Sequence, residues 1–162
     1  MRILSLDQAS IKTAWSFFLD KELKDYDLIN ISKIKDKTQR FDKMLSSIIN
    51  IINKYKPDIV VFEDVSLQTN VSTLVVLSRI QGCIISECIK NNILYCIYKP
   101  STWRKILNFK QGRGIARKEL KQQAIDFIRT KFDITNINDD IAESICIGLA
   151  FIIKDDFKER LK

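Results

Sequence analysis

The 162-residue chain predicts a single α/β domain, spanning 1–162, in which a mixed central sheet carries helices on both faces. Three observations point there. Near the N-terminus, apolar runs follow one another across short charged turns, as the strands of a meander do. Further on, short β-branched runs alternate with stretches of helical periodicity, the pattern of parallel strands joined by right-handed crossovers. Only four glycines and two prolines interrupt the chain, which leaves little room for linkers.

The elements follow in order. "RILSLD" (2–7) alternates apolar and polar positions and ends at an acid; "TAWSFFL" and "DYDLINIS" extend the meander to three strands. "TQRFDKMLSSIINIINKY" places Phe41, Leu45, Ile48, Ile49 and Ile52 at helical spacing and stops before Pro57, so a helix of about 18 residues is expected. "DIVVFED" is short and apolar, as a central parallel strand buried on both faces must be. Residues 71–91 repeat the helical pattern, "ILYCIY" (93–98) reads as another buried strand, 116–131 as an amphipathic helix rich in Lys and Arg, and a final helix begins near Asp139.

Charge is distributed unevenly. The formal net charge is +7, yet Lys99 to Lys131 holds ten Lys or Arg against Glu119 and Asp126, which makes that segment +8 and the remainder −1. A basic excess confined to one fifth of the chain suits a polyanion-binding face, and Arg104, Lys105, Lys110, Arg113, Arg117, Lys118 and Lys121 are its candidate contacts, to DNA if the polyanion is a nucleic acid. The bland alternative is a solvated helix surface. Trp103 and Phe109, interleaved with these cations, can stack on bases or anchor a loop to the core, and the second is the better reading for Trp103.

There is no histidine, so the commonest general base and transition-metal ligand is missing and carboxylates must do any such work. Cys83, Cys88, Cys96 and Cys146 lie singly in apolar runs without C-x-x-C pairing, as reduced core residues do. The N-terminus lacks the pattern of a signal peptide and no uncharged stretch reaches membrane-spanning length, so a cytoplasmic protein with no membrane association is expected.

The stretch "NINDDIAESICIGLAFIIK" (136–154) sets three acids before ten uncharged residues, Ser144 to Ile153. On a helix, Asp139, Asp140 and Glu143 share one face, which continues through Cys146, Ile147 and Ala150. Asn138, Asp139 or Asp140 can cap such a helix, and D-x-x-E imitates a capping box. Asp7 and Glu63 at strand ends weigh toward another role: converging carboxylates repel by about 4 kcal/mol per pair at 4 Å and an effective dielectric of 20. A divalent cation removes that penalty, and oxygen-only sites suit Mg²⁺ or Mn²⁺. Two such ions activate water and stabilise the leaving oxygen in phosphodiester hydrolysis, so Asp7, Glu63, Asp140 and Glu143 are candidate catalytic residues and metal ligands of a nuclease.

"LSLDQAS", "PDIVVFEDV", "LSRIQGCIISEC" and "NDDIAESICIGLA" resemble, in order and spacing, the RuvC family of Holliday junction resolvases over nearly the whole chain. The resemblance implies a ribonuclease H-like fold, a homodimer, two metal ions per site, and symmetric nicking of four-way DNA junctions. By position it assigns the family's acids to Asp7, Glu63, Asp140 and Glu143, and its cations near the scissile phosphate to Arg104 or Lys105 and to Lys118, with Arg117 the nearest competitor. Asp139 has no counterpart. The sequence departs from the family in three places: the last acid is Glu rather than Asp, "DQAS" replaces a Gly-containing turn, and "DVSLQTN" lacks the aromatic that wedges the crossover open, leaving part of that role to Ser66 or Leu67, or to neither. Relaxed sequence preference is therefore expected, with activity on branched DNA generally.

Two other readings share these residues: a ribonuclease H-like nuclease acting on RNA:DNA hybrids or linear DNA, and a non-catalytic nucleic-acid-binding protein whose acids are structural. Sugar kinases and actin-like ATPases need Gly-rich phosphate turns, and Gly82, Gly112, Gly114 and Gly148 form none beyond "GRG". The apolar helix pattern in 71–91 offers a dimer surface, or burial under its own chain.

Overall fold

A computed structural model describes residues 1–66 and 70–159, with side chains in the last helix described to Asp155. Leu67 lies outside the described residues. The first three strands form the expected meander: β1 (Arg2–Asp7), β2 (Lys12–Leu19) and β3 (Glu22–Asn30) pair antiparallel. Asp20 and Lys21, with φ of 49° and 74°, form the two-residue turn that matches strand twist between β2 and β3. Helix α1 (Lys37–Tyr55) is capped by Asp36, which accepts from Gln39 N, and ends at left-handed Lys56 before Pro57. It leads to β4 (Ile59–Glu63), α2 (Val71–Lys90), β5 (Leu94–Tyr98), α3 (Pro100–Ile106), α4 (Arg117–Phe132) and α5 (Asp139–Glu159).

The sheet order is β3-β2-β1-β4-β5, with β1, β4 and β5 parallel. Strand alternation divides the core. Leu4, Leu6, Val60 and Phe62 face α1 and α2, burying Met44, Ile48, Ile52, Ile80, Ile84 and Cys88. Ile3, Ile59 and Val61 face the other way, toward Trp103 of α3, Ala124 and Ile128 of α4, and the unbroken buried run Ala142–Ala150 of α5. That run fulfils the expectation of a last helix pressed against the sheet.

Three expectations change. β5 is an edge strand rather than a buried one: Leu94 is 69% exposed and Tyr95 43%, because the chain reaches the sheet margin there. The buried stripe of α1 runs through Met44, Ile48 and Ile52, which leaves Leu45 and Ile49 at its border. Helix α3 was not foreseen, although Pro100 at its first turn is the signal that marks it. Among the described residues α2 alone is long and apolar enough to cross a membrane, but Ile80, Ile84 and Cys88 are committed to the core and Arg79 and Glu87 interrupt it.

Candidate metal centre and cleft

Strand register sets the first two acids side by side. Leu6 pairs with Phe62 across β1 and β4, so the next residues, Asp7 and Glu63, end neighbouring parallel strands. They share parity with Ile3, Ser5, Ile59 and Val61, and therefore emerge on the face that α5 covers. This is the carboxyl edge of the sheet, where rigid strand ends meet open loops.

Helix α5 lies unusually close to that face. Ser5 Oγ donates to the Ser144 carbonyl at 2.9 Å and is 2.6 Å from Ser16 Oγ. A Cβ on Gly148 would stand 2.4 Å from Phe18 Cε2 and 2.6 Å from Ser5 Oγ, so any other residue here requires the helix or the side chains beneath it to shift. The cap of α5 is Asn138, whose side chain accepts from Ile141 N at 2.8 Å. Asp140 and Glu143 are thus free to face the sheet edge: carboxylate oxygens of Asp7, Asp140 and Glu143 lie within 4.8 Å of one another. A cleft of about 400 Å³ opens over them, lined also by Glu63, Arg104, Arg117 and Lys121.

Each acid has its own surroundings. Burial pushes the Asp7 carboxyl well above the usual carboxylate range, and the charges of Glu143, Glu63 and Asp140 add to this against a small opposing effect of Lys121. Glu63 is also raised, chiefly by burial, although the Trp103 indole N–H, donating to Oε1 at 2.8 Å, and the charge of Arg104 pull it back. Arg104 Nη2 donates to Glu143 Oε1 at 3.1 Å, and both side chains are largely buried. Lys121 Nζ donates to Asp139 Oδ2 and lies 3.4 Å from Asp140 Oδ1. Burial works against charge on Asp139, but the Lys121 ammonium and nearby backbone N–H groups outweigh it and hold that carboxyl below its ordinary range.

This donor set fits a hard divalent cation. It consists of oxygens alone, it gathers three carboxylates with one of them strongly desolvated, and that one, Asp7, makes no ion pair with any described residue whereas Glu143 and Asp140 do. Three of the four anticipated ligands converge. Glu63 lines the same cleft but lies outside the three-carboxylate group, with one oxygen engaged by Trp103.

Of the anticipated DNA contacts, Arg104, Arg117 and Lys121 line the cleft; Lys105, Lys110, Arg113 and Lys118 are exposed outside its lining. Helical phase explains the choice on α4: Arg117, Leu120 and Lys121 lie three and four apart on the stripe that continues into buried Ala124 and Ile128, while Lys118 points roughly 100° away. Ser66 lines the cleft. Sequence reasoning missed Gln8 and Gln81, whose side-chain amides both donate to the Glu63 carbonyl, at 3.0 and 3.2 Å, and fix the strand end that carries this acid. Trp103 does anchor its segment to the core, though as part of helix α3 rather than a loop, being fully buried, and in addition orients Glu63.

A family model described as crossover junction endodeoxyribonuclease RuvC matches residues 6–151. Curated proteins of that name are similar: the one from Caldicellulosiruptor saccharolyticus is 25% identical, over 94% of this chain and 93% of its own. That from Finegoldia magna is 27% identical, over 98% and 96%. Among solved structures, T. thermophilus RuvC in complex with Holliday junction substrate superposes with a TM-score of 0.75 at 10% identity, covering 97% of this chain and 96% of that one. Fowlpox virus resolvase with its Holliday junction DNA gives 0.66 at 20% identity, covering 96% and 98%. These likenesses establish the expected ribonuclease H-like fold.

Proposed function

The chain belongs to the RuvC family of crossover junction endodeoxyribonucleases, and from that premise we propose that it resolves four-way DNA junctions as a homodimer through paired, Mg²⁺-dependent nicks. The observation that carries this reading is the convergence of Asp7, Asp140 and Glu143 within 4.8 Å at the base of a cleft rimmed by cations. The oxygen-only carboxylate group supports the divalent metal, and the T. thermophilus RuvC and fowlpox virus resolvase structures, both with Holliday junction DNA, support the substrate.

Asp7, Asp140 and Glu143 would hold the cation, with Glu63 as the further ligand of a two-ion site, and Mn²⁺ would substitute for Mg²⁺. The bound metal supplies Lewis-acid activation of water and stabilisation of the leaving oxygen. The chain's own residues do the rest. Trp103 orients Glu63, Arg104 orients Glu143, and Arg117 at the cleft rim grips a DNA phosphate by charge. Asp7 must lose its proton before it can act as a ligand, so metal loading is linked to pH.

A two-fold dimer would present two such clefts to the two-fold junction. Support for it comes from apolar side chains left on α2 and β5: Val71 is 66% exposed, Ile89 63%, and Leu94 and Tyr95 follow on the edge strand. With no aromatic in "DVSLQTN" to wedge the crossover, cleavage is relaxed in sequence preference. The four free cysteines suit the reducing cytoplasm, where we place its action.

The test is cleavage of a synthetic four-way junction beside duplex and RNA:DNA hybrid controls at matched salt, with Mg²⁺, Mn²⁺ or EDTA. Paired nicks confined to the junction, dependent on metal, are expected. Preferred cleavage of the hybrid would assign the fold's other nuclease activity instead. A single strongly preferred cleavage sequence across a junction library would overturn the relaxed specificity.

A further inference from the structure

We propose that a groove between α1 and α2 is a second DNA-backbone site, which takes up a duplex arm leaving the catalytic cleft; this rests on the junction reading above. The groove, about 550 Å³, is walled by Lys37, Arg40 and Phe41 of α1 and by Thr73, Val76 and Arg79 of α2. Ser10, Asn70 and Thr73 line both this groove and the catalytic cleft, so the two are continuous. Lys12, at the start of β2, stands on the cleft's lining and adds a fourth cation to the path.

The charge pattern identifies the occupant. No Asp or Glu lines the groove, and Lys12, Lys37, Arg40 and Arg79 make no ion pair with any described residue. Outside Lys99–Lys131 the chain sums to −1, so composition does not account for a cation cluster here. The fold creates it: α1 and α2 both start at the carboxyl edge of β1 and β4, which brings residues forty positions apart to one wall beside the active site. Unpaired cations on a continuous path from a nuclease cleft suit a DNA phosphate backbone, where binding releases counterions and carries no sequence information.

The test compares wild type, K37Q/R40Q/R79Q and a control of equal charge change, K24Q/K56Q/K90Q, in binding a fluorescent four-way junction without Mg²⁺ over a salt series. Since each phosphate contact contributes about 0.9 to the log–log salt slope, the groove variant should lose up to about 2.7 of slope while the control keeps the wild-type value. Thermal unfolding of both variants shows whether they are folded, and single R40Q and R79Q variants, each expected to lose about 0.9, replace the triple variant should it fail to fold. A wild-type slope in these groove variants would overturn the proposal while leaving the junction reading intact. Wild-type protein that neither binds nor, with Mg²⁺, cuts the junction would overturn both.

Discussion

The indole N–H of Trp103 donates to Glu63 Oε1 at 2.8 Å, joining a fully buried side chain of α3 to the acid that ends β4. Glu63 is raised mainly by burial, and this bond is the strongest influence keeping its charged form accessible. Trp103→Phe keeps the ring and removes the donor. Partners of this kind typically govern metal affinity by about 10–100-fold, so half-saturating Mg²⁺ should rise at least about 10-fold. Calorimetric Mg²⁺ titration of the variant checks this; unchanged affinity would reduce Trp103 to a packing residue.

Lys121 pairs with both Asp139 and Asp140, but only Asp140 belongs to the carboxylate group around Asp7. The two adjacent acids should therefore separate on substitution. Asp140→Asn is expected to abolish junction cleavage while junction binding persists. Asp139→Asn, which only frees Lys121, should cut with a rate reduced about 10-fold or less, at or below the lower end of the range for a residue that orients a ligand. Equal losses in single-turnover cleavage would show that Asp139 is itself a ligand.

The raised carboxyl of Asp7 fixes the direction of two pH effects. The metal-free native state holds this proton more tightly than the unfolded chain does, so stability falls as pH rises from the unfolded carboxylate range through the native one. Asp7→Asn removes that loss, and its melting temperature in EDTA at pH 8 should exceed wild type by about 3 °C, equivalent to about 1 kcal/mol for a chain of this size. Mg²⁺ should raise the melting temperature of wild type and not of the variant. Conversely, acidification protonates Asp7, and half-saturating Mg²⁺ for cleavage should climb as pH is lowered. Metal affinity independent of pH in this range would remove Asp7 from the ligand set.

Gly148 lets α5 lie on β1 and β2, with Ser5 and Phe18 beneath it. Gly148→Ala needs a shift of either the helix or the Phe18 ring, and overpacking of this kind costs about 1–3 kcal/mol. Since Asp140 and Glu143 ride on the same helix, cleavage should fall more steeply than stability does. Urea unfolding beside single-turnover cleavage separates the two; loss of stability with full activity would mean that the ring moves and the helix stays.

Much of this was readable from residue order. The apolar runs of β1 and β4, each closed by an acid, state both the sheet and the place of Asp7 and Glu63, because strand parity and parallel pairing then leave one outcome. The spacing of Asp140 and Glu143 on an apolar helix likewise anticipates the site. What could not be read depends on packing between elements distant in sequence. Nothing local distinguishes β5 as the margin of the sheet, or chooses Asn138 over its two acidic neighbours as the cap. The choice of Arg117 and Lys121 over Lys118 required the rotation of α4 about its axis, and the cations of α1 and α2 are brought together only by the crossover topology.

The most direct measurement is anomalous scattering from crystals grown with Mn²⁺. The account predicts a Mn²⁺ peak bonded by carboxylate oxygens of Asp7, Asp140 and Glu143, lost in Asp140→Asn crystals. A fully occupied Mn²⁺ elsewhere, with these three carboxylates bare or bridged only by Lys121 and Arg104, would contradict it.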